Sequence, residues 1–265
     1  MRSVLDRNYF EKLRAASAAR QSLLCVGLDP EPKNVPGGLD GAIALCRRII
    51  DATADAACCY KPNAAFWEQY GPRGWEALAT IRAAVPSDIP VMLDAKRADV
   101  PNTMAAYASA IFDAMGFDAA TVHAYHGADS LAVFAGYPSK GTYVVCHTSN
   151  PGRADLQHLA AGGEPMYLKV AELASRANLA VVIGATAPEE ASKVRSKFPN
   201  LPFLLPGIGR QGGDVEASVR AAYNGDPASC LIAVAGAIMY AADHKKEATM
   251  WRDRIRKATE HAHQR

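Results

Sequence analysis

The stretch Leu23-Leu24-Cys25-Val26-Gly27-Leu28-Asp29-Pro30 is an apolar run of strand length that ends on a carboxylate. Such a run is typical of a strand that is buried on both faces, as in a parallel sheet covered by helices. A doubly wound dinucleotide-binding fold would favour a glycine-rich turn directly after this first strand. The turn reads Leu-Asp-Pro instead, which disfavours that fold.

Similar apolar runs recur along the chain, and segments with helical spacing alternate with them. The predicted strands cover residues 23–28, 58–61, 90–94, 119–123, 143–147, 179–183, 203–206 and 229–234. The predicted helices cover residues 39–57, 75–85, 102–115, 130–135, 166–178, 188–198, 213–222 and 251–261. Eight strand and helix pairs over about 250 residues predict an α/β protein with the (β/α)₈ TIM barrel fold.

Composition limits the domain organisation and the classes of partner. The chain has 265 residues, of which 49% are hydrophobic and 21% charged, as in a globular protein. No linker or low-complexity stretch divides it, so we expect one barrel domain over residues 1–265. The 29 basic and 27 acidic residues leave a net charge of +2, too little to attract nucleic acid or an anionic membrane surface without specific contacts.

Two further features indicate the compartment. No stretch approaches the roughly 20 apolar residues that span a bilayer, and the amino terminus lacks the apolar core of a signal peptide. The six cysteines form no C-x-x-C pair, and most of them lie in apolar runs. We therefore expect buried free thiols in a cytoplasmic protein.

Charged residues stand at the carboxyl ends of the first three predicted strands. Asp29 follows the first strand, Lys61 and Asp94 end the second and third, and Lys96 and Asp99 come shortly after Asp94. In a parallel barrel these strand ends converge on one mouth, where the active sites of TIM barrel enzymes lie. Asp94 and Lys96 are two residues apart and share one side of an extended strand.

The alternation of acid and lysine has definite chemical consequences. A lysine between carboxylates stays protonated and can donate a proton. A substrate carboxylate placed beside Asp94 would be repelled, and this repulsion would fade as carbon dioxide leaves. The alternative is a structural ion-pair network that only closes the top of the barrel.

Two other strand ends carry candidate binding residues. Ser149 lies in the segment CHTSNPG at 146–152 and offers hydrogen bonds to a planar amide, although a simple turn would also explain this composition. The seventh strand runs into PGIGRQGG at 206–213, and glycines at this position of a barrel suit a phosphate. The polar, glycine-containing stretch 150–163 is a candidate active-site loop.

Taken together, these motifs resemble the orotidine 5′-phosphate decarboxylase family, in particular its longer bacterial branch. The matching segments are GLDP at 27–30, YKPNAAF at 60–66, DAKRADVPNT at 94–103, TSNPG at 148–152, DLQ at 155–157, VIGAT at 182–186 and PGIGRQGG at 206–213. The resemblance extends in order over about residues 20–240.

The resemblance implies decarboxylation of orotidine 5′-phosphate to UMP by a homodimeric (β/α)₈ barrel, with neither cofactor nor metal. Lys96 would protonate C6 of the pyrimidine, and Asp94 would lie against the departing carboxylate. Asp29 and Lys61 would hold the ribose hydroxyls and orient the charged network. Asp99 and Thr103 would reach into the neighbouring subunit's site. Ser149 would bind the pyrimidine, and Pro206 with Gln211 and its glycine loop would bind the phosphate region.

One position departs from the family pattern. Members usually carry an arginine after the eighth strand that pairs with the 5′-phosphate, and Gly236 stands at this position. Either Arg210 supplies the missing guanidinium, or the substrate carries a different 5′ group, or the chain is an engineered or weakened variant. All three explanations are compatible with the sequence.

The sequence is compatible with two other classes of function. A hexulose-phosphate synthase shares the D-x-K-x-x-D strand but uses magnesium, and the TSNPG segment argues against it. A non-catalytic nucleotide-binding barrel would keep the scaffold and lose turnover. His123, His126 and His147 are interpreted as hydrogen-bonded structural residues, and metal binding stays open as an alternative although no spacing of the histidines requires it.

Overall fold

The computed structural model describes residues 8–209 and 212–262 and shows the eight predicted strands in a single parallel sheet. The strands of this sheet are β1 Leu24–Gly27, β2 Cys59–Lys61, β3 Met92–Arg97, β4 Ala119–His123, β5 Gly141–His147, β8 Ala180–Ile183, β9 Phe203–Pro206 and β10 Cys230–Val234. A separate antiparallel hairpin consists of β6 Ala160–Ala161 and β7 Glu164–Pro165.

The sheet closes on itself as a barrel. The strand order is β2-β1-β10-β9-β8-β5-β4-β3, and parallel bridges from Tyr60 to Val91 and from Asn63 to Asp94 join the two ends. The prediction of a (β/α)₈ TIM barrel is therefore confirmed. Each apolar run became a strand because it is buried on both faces, by the barrel interior on one side and by helices on the other.

Helices cover the outside of the barrel and one of its ends. They are α1 Asn8–Arg20, α2 Gly38–Thr53, α3 Ala65–Glu68, α4 Pro72–Ala84, α5 Pro101–Ala108, α6 Ala128–Ala135, α7 Met166–Arg176, α8 Pro188–Lys197, α9 Val215–Ala222, α10 Gly236–Met239 and α11 His244–Ala262. All eight predicted helices are present, with shifted ends. A π-helical turn at Ser109–Ala114 extends α5, and α11 begins at His244 instead of residue 251.

Helix α1 was not predicted, and it closes the end of the barrel opposite the mouth. Phe10 and Leu13 are fully buried in the cluster that fills the barrel interior. Tyr9 packs edge-on against Tyr143 of β5, and their hydroxyl oxygens are 3.3 Å apart. Within residues 8–209 and 212–262, apolar side chains plug this end of the barrel, and the interior is open to ligands at the other end.

The prediction that the cysteines are buried free thiols is confirmed, since all six are free and buried. Within the described residues, no helix combines the length and apolar character needed to cross a bilayer. The stretch 150–163 contains a 3₁₀ turn at Pro151–Asp155 and the first strand of the β6–β7 hairpin, so it is a structured excursion beside the mouth.

Candidate active site

The mouth of the barrel holds a cavity of about 420 Å³. Seven of the predicted site residues line it, namely Asp29, Lys61, Asp94, Lys96, Ser149, Pro206 and Gly236. They come from the ends of β1, β2, β3, β5, β9 and β10, so the parallel topology brings together residues up to about 200 positions apart. The structure thus brings these seven residues together at one mouth.

Asp94 is the centre of the charged cluster in this cavity. Its Oδ2 accepts a hydrogen bond from Lys61 Nζ at 2.8 Å, and its Oδ1 accepts one from Lys96 Nζ at 2.6 Å. Asp94 and Lys61 are buried, with 8% and 4% exposure, whereas the Lys96 side chain is 41% exposed. The ammonium of Lys96 is therefore the one that reaches into the open cavity.

Burial and charge pairing act in opposite directions on the pKa values of this cluster. Burial alone would raise the pKa of Asp94, but Lys61 and Lys96 more than offset it and hold that pKa below its usual range. Burial alone would lower the pKa of Lys61, and the nearby Asp94 and Asp29 raise it above its usual range. Asp94 is thus a carboxylate and Lys61 an ammonium across the physiological pH range.

Asp29 lies on the other side of Lys61, in a less compensated position. Its Oδ1 accepts a hydrogen bond from the backbone N–H of Asn63 at 3.0 Å. Burial raises the pKa of Asp29, and the attraction of Lys61 only partly opposes this shift. A ligand hydroxyl that donates to Asp29 would supply stabilisation that the protein itself does not provide.

The backbone at Lys96 is held in a rare conformation. Its φ is +48°, in the left-handed region that non-glycine residues seldom adopt at a cost of about 1–3 kcal/mol. The pairing of β3 with β4 also shifts register between Leu93 and Arg97. This kink turns the Lys96 side chain back toward Asp94 at a point where a regular strand would continue.

Thr121 supports this kink and was missed in the sequence. It is fully buried in β4, its Oγ1 accepts from the Lys96 backbone N–H at 2.9 Å, and its hydroxyl donates to Asp94 Oδ1 at 2.9 Å. One hydroxyl therefore fixes both members of the ion pair. A threonine in an apolar strand was the available signal, because a buried hydroxyl requires a partner.

The end of β5 supplies the opposite wall. The pairing of β5 with β8 shifts register between Val145 and His147, a bulge of the kind that re-aims side chains beside active sites. Gly184, after β8, approaches Ser149 so closely that a Cβ there would lie 2.9 Å from the Ser149 backbone. A larger residue than glycine would push Ser149 into the cavity.

Hydrogen bonds hold the segment after Ser149 against this wall of the cavity. Gln157 accepts a hydrogen bond from the backbone N–H of Thr148 at 2.8 Å and donates one to Thr148 Oγ1 at 2.9 Å. The glutamine of the DLQ segment thus pins the 3₁₀ turn Pro151–Asp155 beside the cavity.

The glycine-rich end of the cavity is only partly described. Pro206, Gly207, Ile208 and Gly236 line it. Arg210 and Gln211 lie outside the described residues. Gly236 begins the four-residue helix α10.

Asp99 and Thr103 do not line the cavity of their own chain. Asp99 Oδ1 accepts a hydrogen bond from the backbone N–H of Val100 at 2.7 Å, and its carbonyl accepts one from the Ser130 hydroxyl. Thr103 lies in the first turn of α5. Because the segments that follow barrel strands surround the mouth, both residues belong to its rim, in the segment after β3.

Comparisons with known proteins agree with this geometry. A sequence model of the "Orotidine 5'-phosphate decarboxylase / HUMPS family" matches residues 22–250. The orotidine 5′-phosphate decarboxylase of Thermomicrobium roseum is 45% identical over 88% of this chain and 87% of its own length. That of Halorubrum lacusprofundi is 50% identical over 80% of this chain and 79% of its own.

A solved structure gives the same result. The OMP decarboxylase of Leishmania donovani superposes with a TM-score of 0.86 and 40% identity, over 95% of this chain and 98% of that one. The fold and the acid and lysine cluster define a TIM barrel enzyme. More specifically, the chain belongs to the orotidine 5′-phosphate decarboxylase / HUMPS family.

The first prediction concerns the buried ion pair. Lys61→Met leaves Asp94 buried with one ammonium fewer, so we expect the free energy of unfolding at pH 7 to fall by about 3–5 kcal/mol. In the wild type, the lowered pKa of Asp94 stabilises the fold above the unfolded pKa of about 3.9. In Lys61→Met the pKa of Asp94 is higher than in the wild type. The difference in the free energy of unfolding between the wild type and the variant should therefore narrow as the pH falls from 7 to 4. Urea denaturation at both pH values measures this.

The matched control is Arg73→Met, which removes the ion pair to Asp40 on the surface, where the side chains are 70% and 80% exposed. It should cost less than about 1 kcal/mol at either pH. If Lys61→Met lost as little unfolding free energy as the control, and the same amount at pH 7 and pH 4, Lys61 would not stabilise the buried Asp94 carboxylate.

Proposed function

We propose that this protein is a carboxy-lyase that converts orotidine 5′-phosphate to UMP and carbon dioxide in pyrimidine biosynthesis. The observation that carries the proposal is the ionised Asp94 held between Lys61 and Lys96 at the barrel mouth. The curated relatives, which are named orotidine 5′-phosphate decarboxylase and are 42–50% identical, support the same reaction.

The fixed charge of Asp94 gives the first step its driving force. A substrate whose C6 carboxylate is bound beside Asp94 places two like charges close together in a cavity shielded by barrel walls. The repulsion weakens as the carboxylate becomes neutral carbon dioxide. It therefore raises the free energy of the bound substrate more than that of the transition state. Lys61 keeps Asp94 ionised throughout because it is itself buried and protonated.

Lys96 completes the reaction as the proton donor. When the bond between C6 and the carboxyl carbon breaks, the electron pair stays on C6 and carbon dioxide leaves. The exposed ammonium of Lys96 transfers a proton to that carbon, which yields UMP and a neutral amine that solvent reprotonates. Val145, Val182 and Leu204 form an apolar part of the cavity wall, where fixed charges act more strongly than in water.

The remaining site residues would bind the ribose, the pyrimidine and the phosphate of the substrate. Asp29 would accept hydrogen bonds from ribose hydroxyls, with Lys61 beside it. Ser149 would read the amide edge of the pyrimidine. Pro206, Gln211 and Arg210 would surround the phosphate. Arg210 would replace the arginine that family members usually carry at the position of Gly236. No step of this chemistry requires a cofactor or a metal ion.

We also assign a homodimer in which Asp99 and Thr103 serve the neighbouring site. Their place on the rim, outside their own cavity, supports this arrangement. Exposed apolar side chains follow β3 and β4 at the same end of the barrel, where Val100 is 49% exposed and Tyr125 is 90% exposed. A second subunit would cover them. The buried free thiols favour the cytoplasm as its location.

Two other functions make different predictions. A hexulose-phosphate synthase of the same family would need a divalent metal for activity. A non-catalytic barrel would bind a 6-substituted UMP analogue tightly without turning over orotidine 5′-phosphate. The names of the curated relatives favour the decarboxylase over both.

The central experiment is an ultraviolet assay of the purified protein with orotidine 5′-phosphate. We expect turnover that persists in EDTA. The kcat of Lys96→Ala should be at least about a thousandfold lower, because the substitution removes both the proton donor and the positive charge of its ammonium from the cavity. Lys193→Ala, an exposed lysine on α8, is the matched control and should keep wild-type activity. Wild-type protein no faster than Lys96→Ala would reject the proposal.

The departure at Gly236 gives a second prediction. Gly236→Arg should lower the KM for orotidine 5′-phosphate about tenfold or more, since a charge-assisted hydrogen bond contributes about 1.5–3 kcal/mol. The KM for orotidine, which has no phosphate, should not change. Gly236→Met controls for side-chain size. A KM for the phosphate substrate that is the same in all three proteins would show that the phosphate does not approach residue 236.

Mixed dimers test the shared site. Lys96→Ala and Asp99→Ala should each be nearly inactive alone. In a heterodimer of the two, one site has both defects, and the other combines an intact Lys96 with an intact Asp99 from the partner. Random mixing after reversible dissociation should therefore restore about a quarter of wild-type activity per site. No recovery, with heterodimers demonstrated by mass spectrometry, would place Asp99 in its own subunit's site.

A further inference from the structure

A cluster of metal-ligating side chains lies beside the catalytic cavity and takes no part in the chemistry described above. It consists of His147 at the end of β5, His158 in the segment before the β6–β7 hairpin, and Glu190 in the first turn of α8. Their ligand atoms all lie within 4.8 Å of one another. We propose that these three residues form a binding site for a divalent transition metal such as Zn²⁺.

The two imidazoles are already placed as a pair of ligands. The Nε2 atoms of His147 and His158 face each other at 2.9 Å. Two imidazoles on a tetrahedral zinc, with Zn–N bonds of about 2.0–2.1 Å, have nitrogens about 3.3 Å apart. A shift of a few tenths of an ångström therefore converts the observed pair into a chelate, with Glu190 as the third ligand and water as the fourth.

The protonation of His147 also suits a metal ligand. Burial lowers the pKa of His147 to about 4, so the ring is neutral at physiological pH, the form that binds metals. Its other nitrogen, Nδ1, is buried with no hydrogen-bond partner among the described residues. The ring is thus held by packing, including an edge contact with Tyr167, rather than by an alternative hydrogen bond on that side.

His158 is exposed, yet its backbone is fixed on both sides. The carbonyl of Gln157 accepts from the Tyr167 N–H at 3.1 Å, and the carbonyl of Leu159 accepts from the Met166 N–H at 2.9 Å. Gln157 is further tied to Thr148 by its side chain. Little conformational entropy would be lost when His158 binds a metal, because the segment already has the required position.

Glu190 brings a negative charge to the site from a third element. It makes no ion pair with any lysine or arginine among the residues that the structure describes, and its charge opposes the fall in the pKa of His147. Two neutral imidazoles and one carboxylate form a ligand set that zinc and similar borderline cations prefer over magnesium or calcium. The metal would link β5, the 150–163 excursion and α8.

The test uses the full-length enzyme after treatment with EDTA and dialysis. Titration with ZnCl₂, followed by calorimetry, should show one ion per chain, and Co²⁺ in its place should give the intense visible absorption of a tetrahedral site. Zn²⁺ should also raise the Tm. His158→Ala and Glu190→Gln should each weaken zinc binding at least about tenfold and abolish the rise in Tm.

His261→Ala, which removes an exposed histidine at the end of α11, is the matched control and should bind zinc like the wild type. The six cysteines do not confuse the titration, because all are buried. Absence of saturable binding, or wild-type zinc affinity in both His158→Ala and Glu190→Gln, would overturn the site and leave the histidines as a simple hydrogen-bonded pair. Decarboxylation in EDTA is measured separately, so failure here leaves the proposed function untouched.

Discussion

The sharing of one buried carboxylate by two ammonium groups is the interaction on which the site depends. Asp94 at 8% exposure would be strongly destabilising by itself, and Lys61 with Lys96 makes it the ionised centre of the cavity. The three residues come from only two adjacent strand ends. The bridge between Asn63 and Asp94, which closes the barrel, therefore also sets the distance across which Lys61 meets Asp94.

Closure of the barrel and assembly of the site are thus the same structural event. A parallel sheet of eight strands has two edges until β2 and β3 meet, and the Lys61–Asp94 pair lies at this junction. Apolar residues of similar volume would stabilise the junction equally well or better. The retention of charge there, together with the left-handed backbone of Lys96, indicates that the junction serves chemistry at some expense of stability.

The wall formed after β5 is organised by different means. A bulge aims His147 and Ser149, Gly184 allows the close approach of β8, and Gln157 ties the following turn back to Thr148. These contacts make the 150–163 excursion a preorganised part of the cavity rim. They also explain how His158 comes to face His147 across eleven residues of chain.

The barrel and most of its site are predictable from the amino-acid sequence alone. Strands buried on both faces read as continuous apolar runs, so all eight were visible, and parallel strands place their carboxyl ends at one mouth. The motif residues Asp29, Lys61, Asp94 and Lys96 could be assigned to that mouth for this reason. Helix α1 was not predicted, although its buried residues Phe10, Leu13 and Ser17 have helical spacing. The apolar surface that it packs against, at the end of the barrel opposite the mouth, exists only in the folded chain.

Which side chains meet is not predictable from the sequence, because it depends on contacts that form when the chain folds. Thr121 looked like one more strand residue until β4 placed its hydroxyl between the Lys96 backbone and Asp94. The grouping of His147 and His158 with Glu190 joins three elements whose spacing in the chain matches no metal motif. Hydrophobic periodicity is a local property that the sequence displays directly. A hydrogen bond or a ligand cluster depends on strand register, bulges and loop paths, which arise only when the whole chain packs.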